Sequence, residues 1–191
     1  MKVYLHAVID NFSRRILAWR LVERLDPATT CEVLLEAGKA IGCVPTVVAD
    51  SGVENVNEQV DQLVNTGLLR RILALVEVAF NNSIIEAWWR SLRHQWLYLH
   101  MLDSSGSVKR LIAFWVDQHN TAMPHSAFLS QTPDEIYFGT GDHIPAELKA
   151  AHRAAQQRRL TENRAARCRL CDPMGAAPGE SLSNAATLGF Q

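Results

Sequence analysis

Ala79-Phe80-Asn81-Asn82-Ser83-Ile84-Ile85-Glu86-Ala87-Trp88-Trp89-Arg90-Ser91-Leu92-Arg93 is the stretch around which the chain is organised. It reads as the opening of a long helix that runs to about Leu102. Asn81, Asn82 or Ser83 can cap its start. Apolar residues recur at Ile85, Trp88, Trp89, Leu92, Trp96 and Leu99, a spacing that makes one buried seam. At about 100° per residue, Asn82, Glu86, Arg90 and Arg93 form a polar strip roughly a quarter turn from that seam. Glu86 can neutralise a cation, and Arg90 and Arg93 can neutralise phosphates. Taken alone, the strip reads better as a solvated face with an i,i+4 Glu–Arg pair.

Thr46-Val47-Val48-Ala49-Asp50-Ser51-Gly52-Val53-Glu54-Asn55 reads as a short buried strand ending in Asp50, then a glycine turn and a helix start. In an α/β sheet the carboxyl ends of strands are where ligands and catalytic groups gather. Between Asp50 and Glu86 lie 35 residues.

A strand-end D-x-G-x-E/N followed after that interval by N-x-x-x-E on a helix resembles the last two-thirds of the D-D-E signature. That signature belongs to bacterial insertion-sequence transposases with a retroviral-integrase-like catalytic core. Two further segments are similar to the family. Leu5 to Trp19, with Asp10-Asn11-Phe12-Ser13-Arg14, is similar to its second and third strands and their D-x-F-S-R turn. His119-Asn120, Pro124-His125 and Gln131-Thr132-Pro133-Asp134-Glu135 are similar to its closing segment. The resemblance runs from about residue 3 to about residue 140. Each motif is weak alone, and four in order make a strong signal.

One part of the signature has no counterpart. The family's first catalytic aspartate lies on a strand upstream of the opening hairpin, and Asp10 matches the turn aspartate instead. The chain therefore resembles an N-terminally truncated core, with none of its residues in the role of the first catalytic Asp.

The chain has 191 residues, a hydrophobic fraction of 48% and a net charge of −1. That is enough for one domain with a core and a tail, and it argues against general disorder. The charge is uneven: Lys149, Arg153, Arg158, Arg159, Arg164, Arg167 and Arg169 face a single acid, Glu162, between 149 and 169. Cys31, Cys43, Cys168 and Cys171 form no disulfide-dense pattern. Cys168-x-x-Cys171 is half of a zinc site without the other half, which favours a reduced, metal-free pair. No signal peptide or membrane-length apolar run is present, so the expected setting is a bacterial cytoplasm, with DNA as the place of work.

Residues 2–9 and 16–22 are expected as paired strands about the Asp10–Ser13 turn. Asp26 caps a helix with Pro27 at its first position, ending at Ile41 before Gly42, with Val33, Leu34, Ala37, Ala40 and Ile41 inward. A helix over 54–65 buries Val56, Val60, Leu63 and Val64, and Ile72–Val76 is a strand. Ser107 to about Asn120 is a helix with Val108, Leu111, Ile112, Trp115 and Val116 inward. Thr132-Pro133-Asp134-Glu135 opens a short helix, and 145–167 is an Ala-, Arg- and Gln-rich helix. Three regions follow: a catalytic core over 1–140, a basic helical extension over 141–171 and a disordered tail over 172–191.

The resemblance implies a ribonuclease-H-like mixed α/β sheet with flanking helices, lacking its first, central strand, plus a C-terminal helical extension. It implies metal-dependent phosphodiester cleavage and strand transfer during DNA transposition or integration. A complete site would hold two Mg²⁺ or Mn²⁺ ions, about 3.5–4 Å apart. Asp50 and Glu86 would be catalytic and metal ligands, their carboxyls about 4–8 Å apart to share that cluster. Asn82, Arg90 and Arg93 would contact DNA. From charge alone, Arg153, Arg158 and Arg159 join them. Glu54 is read as a neighbour of the metal ligands or a helix-start residue, and His119, Asn120 and His125 as partners of buried polar groups. The implied partners are transposon-end and target DNA and further copies of the chain, with no membrane. Without the first Asp, the form at hand is expected to be inactive. The competing reading is a non-catalytic DNA-binding or subunit-interaction remnant of a mobile element.

Overall fold

The structure is a computed structural model that describes residues 2–73 and 83–165. The expected roles of Asn81 and Asn82, the strand beyond Leu73, the Cys168–Cys171 pair and the tail lie outside those residues.

The first two strands form an antiparallel hairpin, β1 (Tyr4–Ile9) with β2 (Ile16–Val22). Its turn is built by Asp10, whose Oδ2 accepts from Ser13 N at 2.8 Å and from Ser13 Oγ at 2.6 Å. Arg14 takes a left-handed conformation there, φ 67°. The register pairs Val8 with Ala18 but Ile9 with Ile16, so Leu17 is an extra residue, a β-bulge. The consequence follows from strand alternation. Ala18 faces one side with Val8. Without the bulge Ile16 would join them. With it, Ile16 turns to the side of Leu5, Ala7, Ile9, Trp19 and Leu21.

Helix α1 (Pro27–Ile41) covers the Val8–Ala18 side. Asp26 caps it by accepting from Ala28 N, and Gly42 ends it at φ 73°, a conformation suited to glycine. Val33, Leu34 and Ala37 are buried as expected. Ala40 and Ile41 are exposed instead, because the buried stripe ends before the last turn. Strand β3 (Thr46–Ala49) pairs in parallel with β4 (Arg70–Leu73), and helix α2 (Glu58–Asn65) connects them. Asn57 caps α2, so the helix starts four residues later than the pattern indicated. Val56 consequently lies outside it and is exposed. Val60 is buried against Leu34 and Leu69.

Helix α3 (Ser83–Ser91) carries Glu86 and Arg90. The long uniform helix expected here is not formed. A π-helical segment, Leu92–Trp96, follows at once, and then a 3₁₀ turn, Leu97–Leu99. The π winding is wider than the α winding, so the seam loses its phase after Leu92. Leu97 packs on the core, while Leu99 is 73% exposed. The same change removes Arg93 from a strict α-helical strip with Glu86 and Arg90.

Ser104 caps α4 (Ser105–Thr121), whose Val108, Ile112, Trp115 and Val116 join Ile16, Trp88 and Leu92 in the main core. Thr132 and Glu135 form a reciprocal capping box at the start of α5 (Pro133–Phe138). The hairpin thus lies between α1 on one side and α3 with α4 on the other. Helix α6 (Ile144–Ala165) ends the described chain. Residues up to Glu147 belong to the compact unit just described, and those from Leu148 onward form a second unit.

The buried Asn120 amide binds both backbone groups of Ile16: Oδ1 accepts from Ile16 N at 2.9 Å, and Nδ2 donates to Ile16 O at 3.0 Å. Asn120→Ala would strand two buried backbone groups at about 1–3 kcal/mol each. The expected loss is about 2–4 kcal/mol, measured as a lower urea midpoint with unchanged m-value.

Candidate functional site

Asp50 stands at the C-terminal end of β3 and is exposed. Its Oδ1 accepts from Gly52 N at 3.1 Å and from Asn55 Nδ2 at 2.8 Å, which fixes one carboxylate oxygen in an Asx-type turn. Gly52 does not take a left-handed φ. A Cβ there would lie 2.8 Å from the Glu54 carboxylate. Glu54 is not a helix-start residue, since α2 begins at Glu58. Its carboxylate folds back over Gly52, and its charge reaches His6.

Asp50, Glu54 and Asn55 border a cavity of about 430 Å³. His6 and Asp10 of the hairpin border it too, as do Ile84, Ile85 and Trp89 of α3. The start of α3 and the end of β3 therefore meet at one cavity. Glu86 sits one residue beyond Ile85, is exposed and is not part of the lining. Arg90 and Arg93 are also exposed, and Arg93 Nε donates to Trp89 O at 3.3 Å. Among the described residues, no group of three or more His, Cys, Asp or Glu side chains is placed to hold a metal ion. The described residues therefore do not by themselves complete a metal site.

Arg153, Arg158 and Arg159 are exposed on α6. They do not share a face. At about 100° per residue, Arg158 and Arg159 lie roughly 140° and 120° to either side of Arg153. Lys149, Arg153 and Arg164 fall within about 60° of one another and form the tighter basic strip.

The other motif residues hold the fold. His119 Nε2 donates to Arg14 O at 2.8 Å. Arg15 pairs with Asp134 at 2.6 Å and lies over the Tyr137 and Phe138 rings at 5.1 and 5.3 Å. His125 Nδ1 accepts from Ala127 N at 3.3 Å. The D-x-F-S-R turn and the closing segment are thus two halves of one clamp, a role for Arg15 and Asp134 that pattern reading missed.

Residues 77–133 match the integrase core domain family. This segment contains Glu86, Arg90 and Arg93. None of the curated proteins compared matches the sequence. Among solved structures, a chain of the simian T-cell lymphotropic virus intasome in complex with PP2A regulatory subunit B56 gamma aligns with a TM-score of 0.59 and 15% identity. The alignment covers 69% of this chain and 47% of that one, about half its length. The trimeric form of the HTLV-2 integrase catalytic core domain in complex with magnesium aligns at 0.55 and 14% identity, covering 69% and 82%. Its dimeric form aligns at 0.53 and 15%, covering 69% and 81%. At such identities the likeness is one of fold. The mixed α/β architecture, with small sheets and flanking helices, is the expected ribonuclease-H-like fold of an integrase catalytic core. No helix among the described residues is long and apolar enough to cross a membrane.

Burial lowers the pKa of His6, against a smaller opposing pull from Glu54. Burial also lowers His119 and His125. Folded-state values below the unfolded one mean that the unfolded chain binds more protons. Stability is therefore full above pH 6.5 and falls as pH drops below it. The urea midpoint should decrease between about pH 7.5 and 5.5, and His119→Gln should flatten that decrease.

Proposed function

We propose that this chain is the core of a DNA transposition or integration enzyme of the insertion-sequence type, carrying two of its three acidic ligands, Asp50 and Glu86. The observation that carries the reading is the integrase-core match over 77–133, which places Glu86 in a family segment. Asp50, 35 residues earlier at a strand end, supports it by bordering the cavity that the start of α3 also borders. Phosphoryl transfer of this class relies on positioning and electrostatic stabilisation more than on covalent chemistry by the protein. Asp50 is already oriented by Gly52 and Asn55. Glu86 is exposed one residue beyond the cavity-lining Ile85, and in this reading the two carboxylates serve as ligands of a common Mg²⁺ or Mn²⁺. A further ligand must come from outside the described residues.

Arg90 and Arg93 then serve as phosphate contacts near the carboxylates, with Asn82 beside them in sequence. Lys149, Arg153 and Arg164 track a DNA backbone, with Arg158 and Arg159 adding charge on other faces. Such contacts release counterions and carry no sequence preference. The partners are transposon ends and target DNA, with several copies of the chain assembled on them, in a bacterial cytoplasm.

Asp10 matches the family's turn aspartate and no residue of the sequence matches its first catalytic Asp, so this chain is expected to be inactive in cleavage and joining. Loss of one preorganised stabilising group costs about 10²–10³ in rate, and loss of a ligand shared by two ions at least that. The alternative is a non-catalytic DNA-binding or subunit-interaction remnant of a mobile element, which needs no first catalytic Asp.

The deciding measurement is a strand-transfer assay with Mg²⁺ or Mn²⁺ and terminal-repeat DNA. No product is expected from this chain. Turnover that disappears in Asp50→Asn or Glu86→Gln would overturn the inactivity. Equal weak Mn²⁺ binding by the chain and by both variants would overturn the ligand assignment.

A salt titration of duplex binding tests the basic helix. Replacing Lys149, Arg153 and Arg164 with Gln should reduce the slope of log K against log salt by about 2–3. Replacing Arg158 and Arg159 should change it less, and unchanged slopes in both would remove α6 from the interface.

A further inference from the structure

Asp50 heads the loop 50–57 that links β3 to α2. Most of that loop is held by its own short-range bonds. Gly52 N and Asn55 Nδ2 donate to Asp50 Oδ1, and Asn55 N and Val56 N both donate to Gly52 O at 2.9 Å. Asn57 Nδ2 donates to the carbonyls of Val53 and Glu54, each at 3.0 Å. These bonds span two to five residues. They give the loop its shape without tying its middle to the sheet.

Arg71 makes that tie. It lies on β4 opposite Val47 of β3. Its Nη1 donates to Asn55 O at 2.9 Å, across 16 positions of sequence. The same nitrogen lies 2.7 Å from Asp61 Oδ1 of α2, an ion pair rather than an aligned hydrogen bond. Among the described residues, no other hydrogen bond joins residues 51–57 to a strand.

Stability alone accounts poorly for this arginine. Its side chain is 17% exposed but that of Asp61 is 44% exposed, and an ion pair with one partner so open contributes little. Covering a guanidinium costs free energy unless its donors are placed. What the placement achieves is geometric. Asn55 receives Arg71 on its backbone carbonyl and delivers its side-chain amide to Asp50 at 2.8 Å. It is gripped on one side while it grips Asp50 on the other. Among the described residues both bonds to the Asp50 carboxylate fall on Oδ1, which leaves Oδ2 for a ligand.

We propose that Arg71 is a positioning residue for the Asp50 carboxylate, acting through Asn55 and held in turn by Asp61. This role presupposes Asp50 as a ligand-binding carboxylate. A carboxylate that meets a ligand with one oxygen must be kept from rotating. Groups behind a metal ligand that fix its orientation are typically worth about 10–100-fold in affinity. Arg71 supplies the restraint from the neighbouring strand, where Asn55 alone would move with its loop.

The test is NMR of the whole chain without metal or DNA, comparing Arg71→Met with Arg71→Lys. Methionine keeps an unbranched stem and removes every donor. Lysine returns one nitrogen with three donors, and Arg71 uses one nitrogen for both partners. In Arg71→Met the Asn55 side-chain amide protons should move to the positions of a free amide. Exchange at the Gly52, Asn55 and Val56 amides should speed about tenfold, as one charged hydrogen bond is lost. Arg71→Lys should restore both signals. Val60→Ala loosens the same small core without touching Arg71 and should leave the Asn55 side-chain signal in place. Asp61→Asn should move that signal in the direction of Arg71→Met, less far, and it decides the matter if the methionine variant does not fold. Unmoved Asn55 signals in the deciding variant would overturn the proposal. So would a folded Arg71→Lys that restores neither signal. Equal movement in Val60→Ala would reduce Arg71 to packing and overturn it too. With no ion present, failure of Asp50 as a metal ligand leaves these signals untouched and shows only in the Mn²⁺ comparison with Asp50→Asn.

Discussion

Ile16 is held from two directions, and most of the fold depends on it. The bulge at Leu17 turns its side chain to the α4 side of the hairpin, where it meets Trp88, Leu92, Ile112 and Trp115. Asn120 then satisfies its backbone N–H and C=O with one amide. Those groups lie on the outer edge of β2, which would otherwise offer unpaired positions to another strand. A β-branched side chain in the core and a buried amide on the backbone fix the angle between hairpin and helix. The helix in turn carries α3 and places its first turn beside the cavity.

Around this point the motif residues interlock. Asp10 folds the turn through Ser13, which is fully buried. His119 takes the carbonyl of Arg14, and Arg15 reaches Asp134 in the first turn of α5. An acid in that turn is also favoured by the helix dipole. The Arg15–Asp134 pair is half-buried, so its direct contribution is modest; its geometry, stacked on Tyr137 and Phe138, gives α5 one docking position. Residues 97 to 119 apart in sequence are joined by these contacts and by Tyr137 Oη, which donates to Ala40 O.

The acidic side is built differently. Asp50 is oriented by its own turn, and Glu86 by a nine-residue helix that changes winding soon after it. Nothing among the described residues ties the two together directly. The clamp side of the molecule is closed by side-chain contacts, whereas the Asp50 side borders the cavity.

Periodicity and capping chemistry determined much of this protein by themselves. Asp26-Pro27 and Gly42 bound α1, Thr132 and Glu135 start α5, and alternating Val and Ile residues mark the strands, because each signal acts within a turn or two of backbone. The order of Asp50 and Glu86 pointed to the integrase-like core for the same reason: it is a property of sequence spacing. The π segment at Leu92–Trp96 was not legible, since it accommodates Trp96, whose Nε1 donates to Leu111 O on another helix. Neither was the bulge at Leu17, which is decided by what each face of the hairpin must pack against. Tertiary structure also decided that Arg15 and Asp134 are partners, and that β1 and β3 border one cavity. These are contacts between segments far apart in the chain, and no local pattern encodes where such segments meet.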